Sequence, residues 1–288
     1  MIDSSNTAPM TQNPCYQNVP VLMSFSGGRS SALAMRILTL EKVPENMVIL
    51  FANTGKEKPQ TLDFVNECSV RWNLPIIWIE AEFKEKVEGM TQREQIDFKV
   101  VDYETASRKG EPFEEMIKRF GLPNRMVRFC TEYLKKIPMF RYMDSLGYEE
   151  WDTVMGIRFD EPARVIKNRD SIMPLVGAKI TKKTVRDFWA KQPFDLQLKD
   201  YQGNCDLCHL KSERKRKTIL NETPDVAEWW SRMEKMTGST FQQGMPVEKL
   251  LELSKGRNFV KAMDEYEKSQ MQPELFGEDL EISCYCGD

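Results

Sequence analysis

Histidine is almost missing from this chain: His209 is the only one among 288 residues. With a single imidazole, Ser-His-Asp triads, His-rich zinc hydrolase sites and most imidazole acid–base chemistry are set aside. Long apolar runs are missing too, and nothing approaches the about 20 residues that cross a bilayer. No membrane contact is therefore expected. The opening "MIDSSNTAPMTQNPC" has neither a basic n-region nor an apolar h-region. It reads as a disordered leader over residues 1–18, in a cytoplasmic protein. Charge of one sign is lacking as well: the net charge is −3, which gives no global argument for nucleic acid. Seven cysteines, an odd number without an export signal, argue against a disulfide framework. Clustered cytosolic cysteines are more often metal ligands or redox groups.

What is present suits an ordinary soluble globular protein. Hydrophobic residues make up 41% and charged residues 30%, an ordinary balance for a chain long enough to bury a real core. Apolar strands are expected at Val21–Phe25, Met47–Gly55 and Pro75–Phe83, with a further one at Asp152–Arg158. Helical spacing occupies about Ser30–Thr39, Pro59–Asn73, Glu111–Phe120 and Thr131–Leu146, although Pro138 should end or kink the last. "SIMPLV" reads as an extended piece, and "TKKTVRDFWAKQ" as a helix opening at a Thr cap. Residues 84–128 are otherwise hard to read. Alternating strands and helices give an α/β class with a largely parallel twisted sheet. We expect a nucleotide-binding domain over 19–203 and a mostly helical, cysteine-containing region over 204–288.

The stretch "VLMSFSGGRSSALAMRIL" turns from strand to helix through two glycines. Such a turn brings backbone N–H groups and the positive helix end to one point, which suits phosphate. Ser24, Ser26, Ser30 and Ser31 add hydroxyls, and Arg29 adds a charge. The spacing is neither Walker A nor the dinucleotide fingerprint. A tight turn in which Gly27 and Gly28 merely permit positive φ is the alternative.

"SFSGGRSS" resembles the PP-loop, S-G-G-x-[DS]-S, of the adenine-nucleotide alpha-hydrolase-like superfamily. Four further stretches resemble motifs of its phosphoadenosine-phosphosulfate (PAPS) reductase family, in order along the chain: "FANTGKE", "RFCTEYLKKIP", "GIRFDEPAR" and "CDLCHLK". The resemblance covers roughly residues 20–215. It is nearest to the iron–sulfur adenylyl-sulfate (APS) reductases and to the ATP pyrophosphatases of DNA phosphorothioation. It implies a Rossmann-like sheet and a bound adenine nucleotide, either ATP or PAPS/APS. By the same resemblance Ser24, Ser26, Gly27, Gly28, Arg29, Ser30 and Ser31 would hold phosphates. Asn53, Thr54, Gly55 and Glu57 would hold the nucleoside, while Gly156, Arg158 and Arg164 would lie at the reacting phosphate or sulfate. Arg29, Arg158 and Lys135 would act in catalysis. For either of Arg158 and Arg164 the plain alternative is a surface ion pair with Asp160 or Glu161. Many relatives carry Asp where Ser30 stands, to help with metal-bound pyrophosphate, so any Mg²⁺ would be held elsewhere.

Cys205 and Cys208 form C-x2-C, Cys130 lies 75 positions earlier, and Cys284 and Cys286 end the chain. Cys68 falls on the inward stripe of a helix and reads as core. Four thiolates suit a 4Fe–4S cluster or structural Zn²⁺. The resemblance favours the cluster, with Cys130, Cys205, Cys208 and a tail cysteine, Cys284 or else Cys286, as ligands; a three-cysteine cluster with one open iron that carries sulfide is the alternative it implies. A thiosulfonate-forming reductase would instead use a tail nucleophile such as Cys286, although "EISCYCGD" lacks the histidine of that family motif. "KSERKRK", Lys211–Lys217, holds five basic residues in seven. It is either a solvated helix face or a nucleic-acid contact, and Trp229, Trp230 and Phe241 nearby either stack bases or fill a core. Two activities are implied: ATP-driven thiolation of an acceptor such as nucleic acid, or reduction of APS or PAPS to sulfite. A zinc-stabilised nucleic-acid-binding protein on a non-catalytic PP-loop scaffold is the competitor from another class. A sulfur or electron donor protein and a homodimer are further expected partners.

Overall fold

A computed structural model describes residues 19–255 and 259–269. The expected leader, Cys284 and Cys286 lie outside the described residues. Strand β1 (Val21–Phe25) runs into the glycine turn and then helix α1 (Arg29–Leu38). β2 (Met47–Asn53) leads to α2 (Pro59–Trp72), and β3 (Ile76–Phe83) follows. The sheet order is β4-β3-β2-β1-β5, with β4 spanning Ile96–Val101 and β5 spanning Asp152–Val154. β1, β2, β3 and β5 are parallel neighbours in register, Phe25 opposite Phe51 and Asn53 opposite Glu80. Chain order reverses at β1, with β2 on one side and β5 on the other. Open α/β sheets bind ligands beyond the carboxyl ends at such a switch point, and the glycine turn leaves β1 there.

β4 (Ile96–Val101) pairs antiparallel with β3 at the sheet edge. It is the strand that the sequence did not announce. Its Ile-Asp-Phe-Lys-Val-Val pattern reflects an edge strand with only Ile96 buried. The strand expected over Asp152–Arg158 stops at Val154, because Gly156 onward serves as a site loop. Pro138 does not end its helix. Three consecutive segments, Phe129–Thr131, a π-helical turn Glu132–Lys136 and Ile137–Ser145, form α4 after α3 (Glu111–Phe120). The π turn resets the ladder just before Pro138, which then falls in the first turn of the next segment, where an N–H has no helical partner.

Helices cover both faces of the sheet. One core joins β1, α1 and α2 to Trp189, Phe194 and Leu198. A second joins α3 and α4 to the C-terminal helices α8 (Glu213–Glu222), α9 (Val226–Thr237) and α10 (Val247–Ser254). Between them α5 (Pro162–Lys167), α6 (Pro174–Gly177) and α7 (Lys182–Trp189) follow β5; Thr181 caps α7 by accepting from the Thr184 amide. Cys68 is buried in the first core, and burial pushes its thiol pKa far up. Trp229, Trp230 and Phe241 form a buried aromatic cluster with Phe113, so core packing explains them. Among the described residues, no helix is long and apolar enough to cross a membrane.

Candidate functional site

Gly27 has φ +77°, and a Cβ there would approach Thr61 Cγ2 to 2.8 Å. Glycine is thus required twice over, by backbone conformation and by space. Gly28 then caps α1 in extended conformation without any side-chain cap. The first helical bond runs from Ala32 N to Gly28 O. The amides of Arg29, Ser30 and Ser31 precede it and have no partner within the helix. Ser26 and Ser31 share a 2.8 Å hydroxyl–hydroxyl bond, and Ser31 also donates to Gly28 O. Ser24 points elsewhere, donating to the Met139 sulfur.

The loop after β5 closes on this turn. A Cβ on Gly156 would lie 2.3 Å from Ser31 Cα and 2.6 Å from Ser31 N, so the loop and the first turn of α1 touch through backbone. Arg158 then reaches across, its Nη1 donating to Ser30 Oγ at 3.1 Å. Asp160 and Glu161 hold the same guanidinium, at 3.0 and 3.6 Å. The ion pairs foreseen as the plain alternative are therefore present, and they aim Arg158 at the turn. Arg164 lies one step back, paired with Glu161 at 2.6 Å.

Arg29 is differently employed. Its guanidinium grips Asp195 with Nε at 2.7 Å and Nη2 at 2.5 Å, while Nη1 donates to Leu198 O. The side chain that the sequence assigned to phosphate and catalysis braces α1 against the 195–198 segment. Burial works against ionised Asp195, but hydrogen bonding and charge from Arg29 prevail and hold its carboxyl below the usual range. A depressed folded pKa adds stability that is present above the unfolded value and lost as pH falls through the folded one. Arg29→Ala should therefore destabilise by about 1–2 kcal/mol at neutral pH, and the deficit should shrink below about pH 4. Denaturant melts of both proteins across that range check the expectation.

Beyond β2, Asn53 accepts from Gly55 N and donates to buried Glu80 and to Ser107 O. Glu57 accepts from the amide and hydroxyl of Thr54, both at 2.8 Å, and pairs with Lys135 at 3.4 Å. Residues 203–208 are stitched to this loop. Asn204 donates to Ser26 O at 2.6 Å, Lys58 N to Asn204 O, and Asp206 N to Lys56 O. Lys56 also pairs with Asp206 at 2.6 Å. Burial pushes the Asp206 carboxyl up, against the pull of Lys56.

Through these ties the C-x2-C pair lands beside the glycine turn. Cys130, Cys205 and Cys208 line one cavity with Thr54, Thr131, Lys135 and His209. None of Cys68, Cys130, Cys205 and Cys208 is in a disulfide. Among the described residues, no group of three or more Cys, His, Asp or Glu side chains converges as a closed metal site. The donor chemistry still fits a thiolate-bound metal group, with three sulfurs and one imidazole on the same walls. The sequence reading passes over Asn204, Thr131 and His209. Adjacency of His209 to Cys208 was the available signal.

The Lys211–Lys217 run is not a uniform basic face. Arg216 is fully buried, Lys217 pairs with Glu213, and Arg214 donates to Ala262 O.

A family model described as the phosphoadenosine phosphosulfate reductase domain matches residues 20–171. An uncharacterized nin region protein of Escherichia phage lambda is 32% identical over 200 residues, 67% of either chain. Two uncharacterized proteins of Methanocaldococcus jannaschii are 26% and 23% identical over 52% and 60% of this chain. The chain spans only 25% and 36% of those two proteins. The family model begins just before β1 and runs through β5, so it takes in the glycine turn, the Asn53–Glu57 loop and Arg158. The chain belongs to the phosphoadenosine phosphosulfate reductase family of the PP-loop class.

Proposed function

We propose that this protein is a PP-loop enzyme that binds ATP, activates an acceptor at the α-phosphorus and delivers sulfur to it. The observation that carries the reading is the join of two half-sites. A helix N-terminus at a switch point is held by a 2.6 Å bond from Asn204 to Ser26 O, next to a cavity walled by three cysteines. The amides of Gly28 to Ser31 would cradle the phosphates, and Arg158 would offset charge on the departing pyrophosphate. In that step a new bond forms from the acceptor to the α-phosphorus, the bond to the bridging oxygen breaks, and pyrophosphate carries the electron pair away. Ser30, to which Arg158 Nη1 donates, stands where many relatives keep an Asp for metal-bound pyrophosphate. Asn53 to Gly55 would hold the nucleoside, with Glu57 and Lys135 fixing that loop.

Cys130, Cys205 and Cys208 would hold an iron–sulfur cluster or zinc. Zinc there would be structural only; an iron–sulfur group would supply sulfide, whose bond to the activated acceptor forms as AMP leaves with the electron pair, and a sulfur donor protein would replenish it. The acceptor is not assigned to nucleic acid through Lys211–Lys217, since that run offers fewer surface cations than its sequence suggests.

The test is a paired assay on anaerobically purified protein. Pyrophosphate release from ATP, with no sulfite from adenylyl sulfate and a dithiol, is the expected result. Sulfite without pyrophosphate would replace the reading with a sulfonucleotide reductase. Neither product would leave a non-catalytic scaffold.

A further inference from the structure

Arg216 is the most anomalous charge in the molecule. It is 0% exposed. Its Nη1 donates to Gln242 Oε1 at 2.6 Å, yet Nε and Nη2 are buried without any hydrogen-bond partner. No described carboxylate lies within ion-pairing distance. Glu234 is the largest opposing charge acting on it, but only beyond ion-pairing distance, and its two oxygens already accept from the Phe241 and Val247 amides at 3.0 and 2.7 Å. A buried guanidinium that no carboxylate contacts is costly in a protein interior.

Its surroundings point to the cysteine cavity. Arg216 sits in the first turns of α8, whose cap, Ser212, follows Cys208 by four residues. Lys211 N donates to Cys208 O, and Gln242, the partner of Arg216, donates to His209 O and Lys211 O. The guanidinium is thus tied by one side chain to the main chain of the C-x2-C turn. The charges that act on it are Glu234, Cys208, Arg125 and Glu213, and burial draws its pKa down to about 10. A second orphan faces the cavity itself: Thr131 Oγ1 is buried and partnerless, and Thr131 is one of the lining residues.

We propose that Arg216 is the built-in counter-cation of a negatively charged, thiolate-held group at Cys130, Cys205 and Cys208. The inference deepens the sulfur-site reading and rests on it. Three thiolates around Zn²⁺ carry a net negative charge, and three around a 4Fe–4S core of charge +2 do as well, whereas protonated thiols carry none. Arg216 is accordingly a positioning residue that selects for the occupied, anionic state. It stabilises the loaded protein and burdens the unloaded one.

That asymmetry gives opposite signs in one experiment. The full chain and its Arg216→Met and Arg216→Lys variants are prepared anaerobically, stripped with a chelator, then reloaded with Zn²⁺ or with ferrous iron and sulfide. Melting temperature and metal retained against chelator are measured for each. Removing a buried charge that no carboxylate contacts should raise the Tm of stripped Arg216→Met by about 3 °C or more. The same variant should retain metal at least about tenfold more weakly, and Arg216→Lys should recover part of the retention. Equal retention in wild type and Arg216→Met, or a stripped Arg216→Met that melts lower or does not fold, overturns this inference alone. A wild type that retains neither metal overturns the sulfur-site reading, and this inference with it.

Discussion

Gly156→Ala is expected to remove ATP binding and to lower the melting temperature by roughly 6–12 °C. The added methyl would fall 2.3 Å from Ser31 Cα and 2.9 Å from Ser30 C. Those are backbone atoms of a helix whose other faces are in the core, where Ser30, Ser31, Ala32 and Leu33 are all buried. No side chain can swing aside. Overpacking a core costs about 1–3 kcal/mol when side chains can adjust, and here backbone must yield, so the upper end or beyond applies. The loop after β5 and the glycine turn must separate, taking Arg158 away from Ser30. Calorimetric melts and ATP titration read the two effects. An alanine variant with native stability and affinity would show that the two backbones are not in contact.

Arg158→Ala should separate activity from stability. The guanidinium contacts Ser30 at the turn, and on the proposed reading its departure takes a cation from where pyrophosphate charge would build. Loss of one preorganised donor of that kind costs about 10²–10³ in kcat. The fold should survive, because Glu161 keeps its 2.6 Å pair with Arg164 and Asp160 keeps a bond from the Lys182 amide. A stability change within about 1 kcal/mol is expected. Arg158→Lys retains charge without the fork that spans Ser30 and two carboxylates, and should recover only part of the rate. Pyrophosphate release under saturating ATP is the measurement. Unchanged turnover in Arg158→Ala would leave Arg158 as a loop brace with no part in the chemistry.

The parts of this site that follow local rules were legible in the sequence. β1, the glycine turn and α1 are contiguous, and their apolar periods and breaks announce them directly. The same holds for β2 and α2 with the Asn53–Glu57 loop between them. What escaped was decided across long separations. Arg29 in a phosphate loop reads as a phosphate ligand until Asp195, 166 positions later, is seen to hold it. Asn204 looks like an ordinary loop residue, yet it ties the cysteine turn to Ser26 from 178 positions away. Arg216 sits inside a run of surface-type cations and is the one turned inward, a fact set by how α8 lies against Gln242. β4 was missed because an edge strand needs few apolar residues. Pro138 misled because a π turn, which no propensity foretells, moved it to a tolerated position.

The central claim is that the amides of the glycine turn bind phosphate. Amide hydrogen exchange of the intact protein with and without ATP, read at residues 27–32, tests it most directly. Exchange at Gly28, Arg29, Ser30 and Ser31 should slow when ATP is present, and adenosine alone should leave those four amides unchanged. Equal exchange with and without saturating ATP would contradict the account.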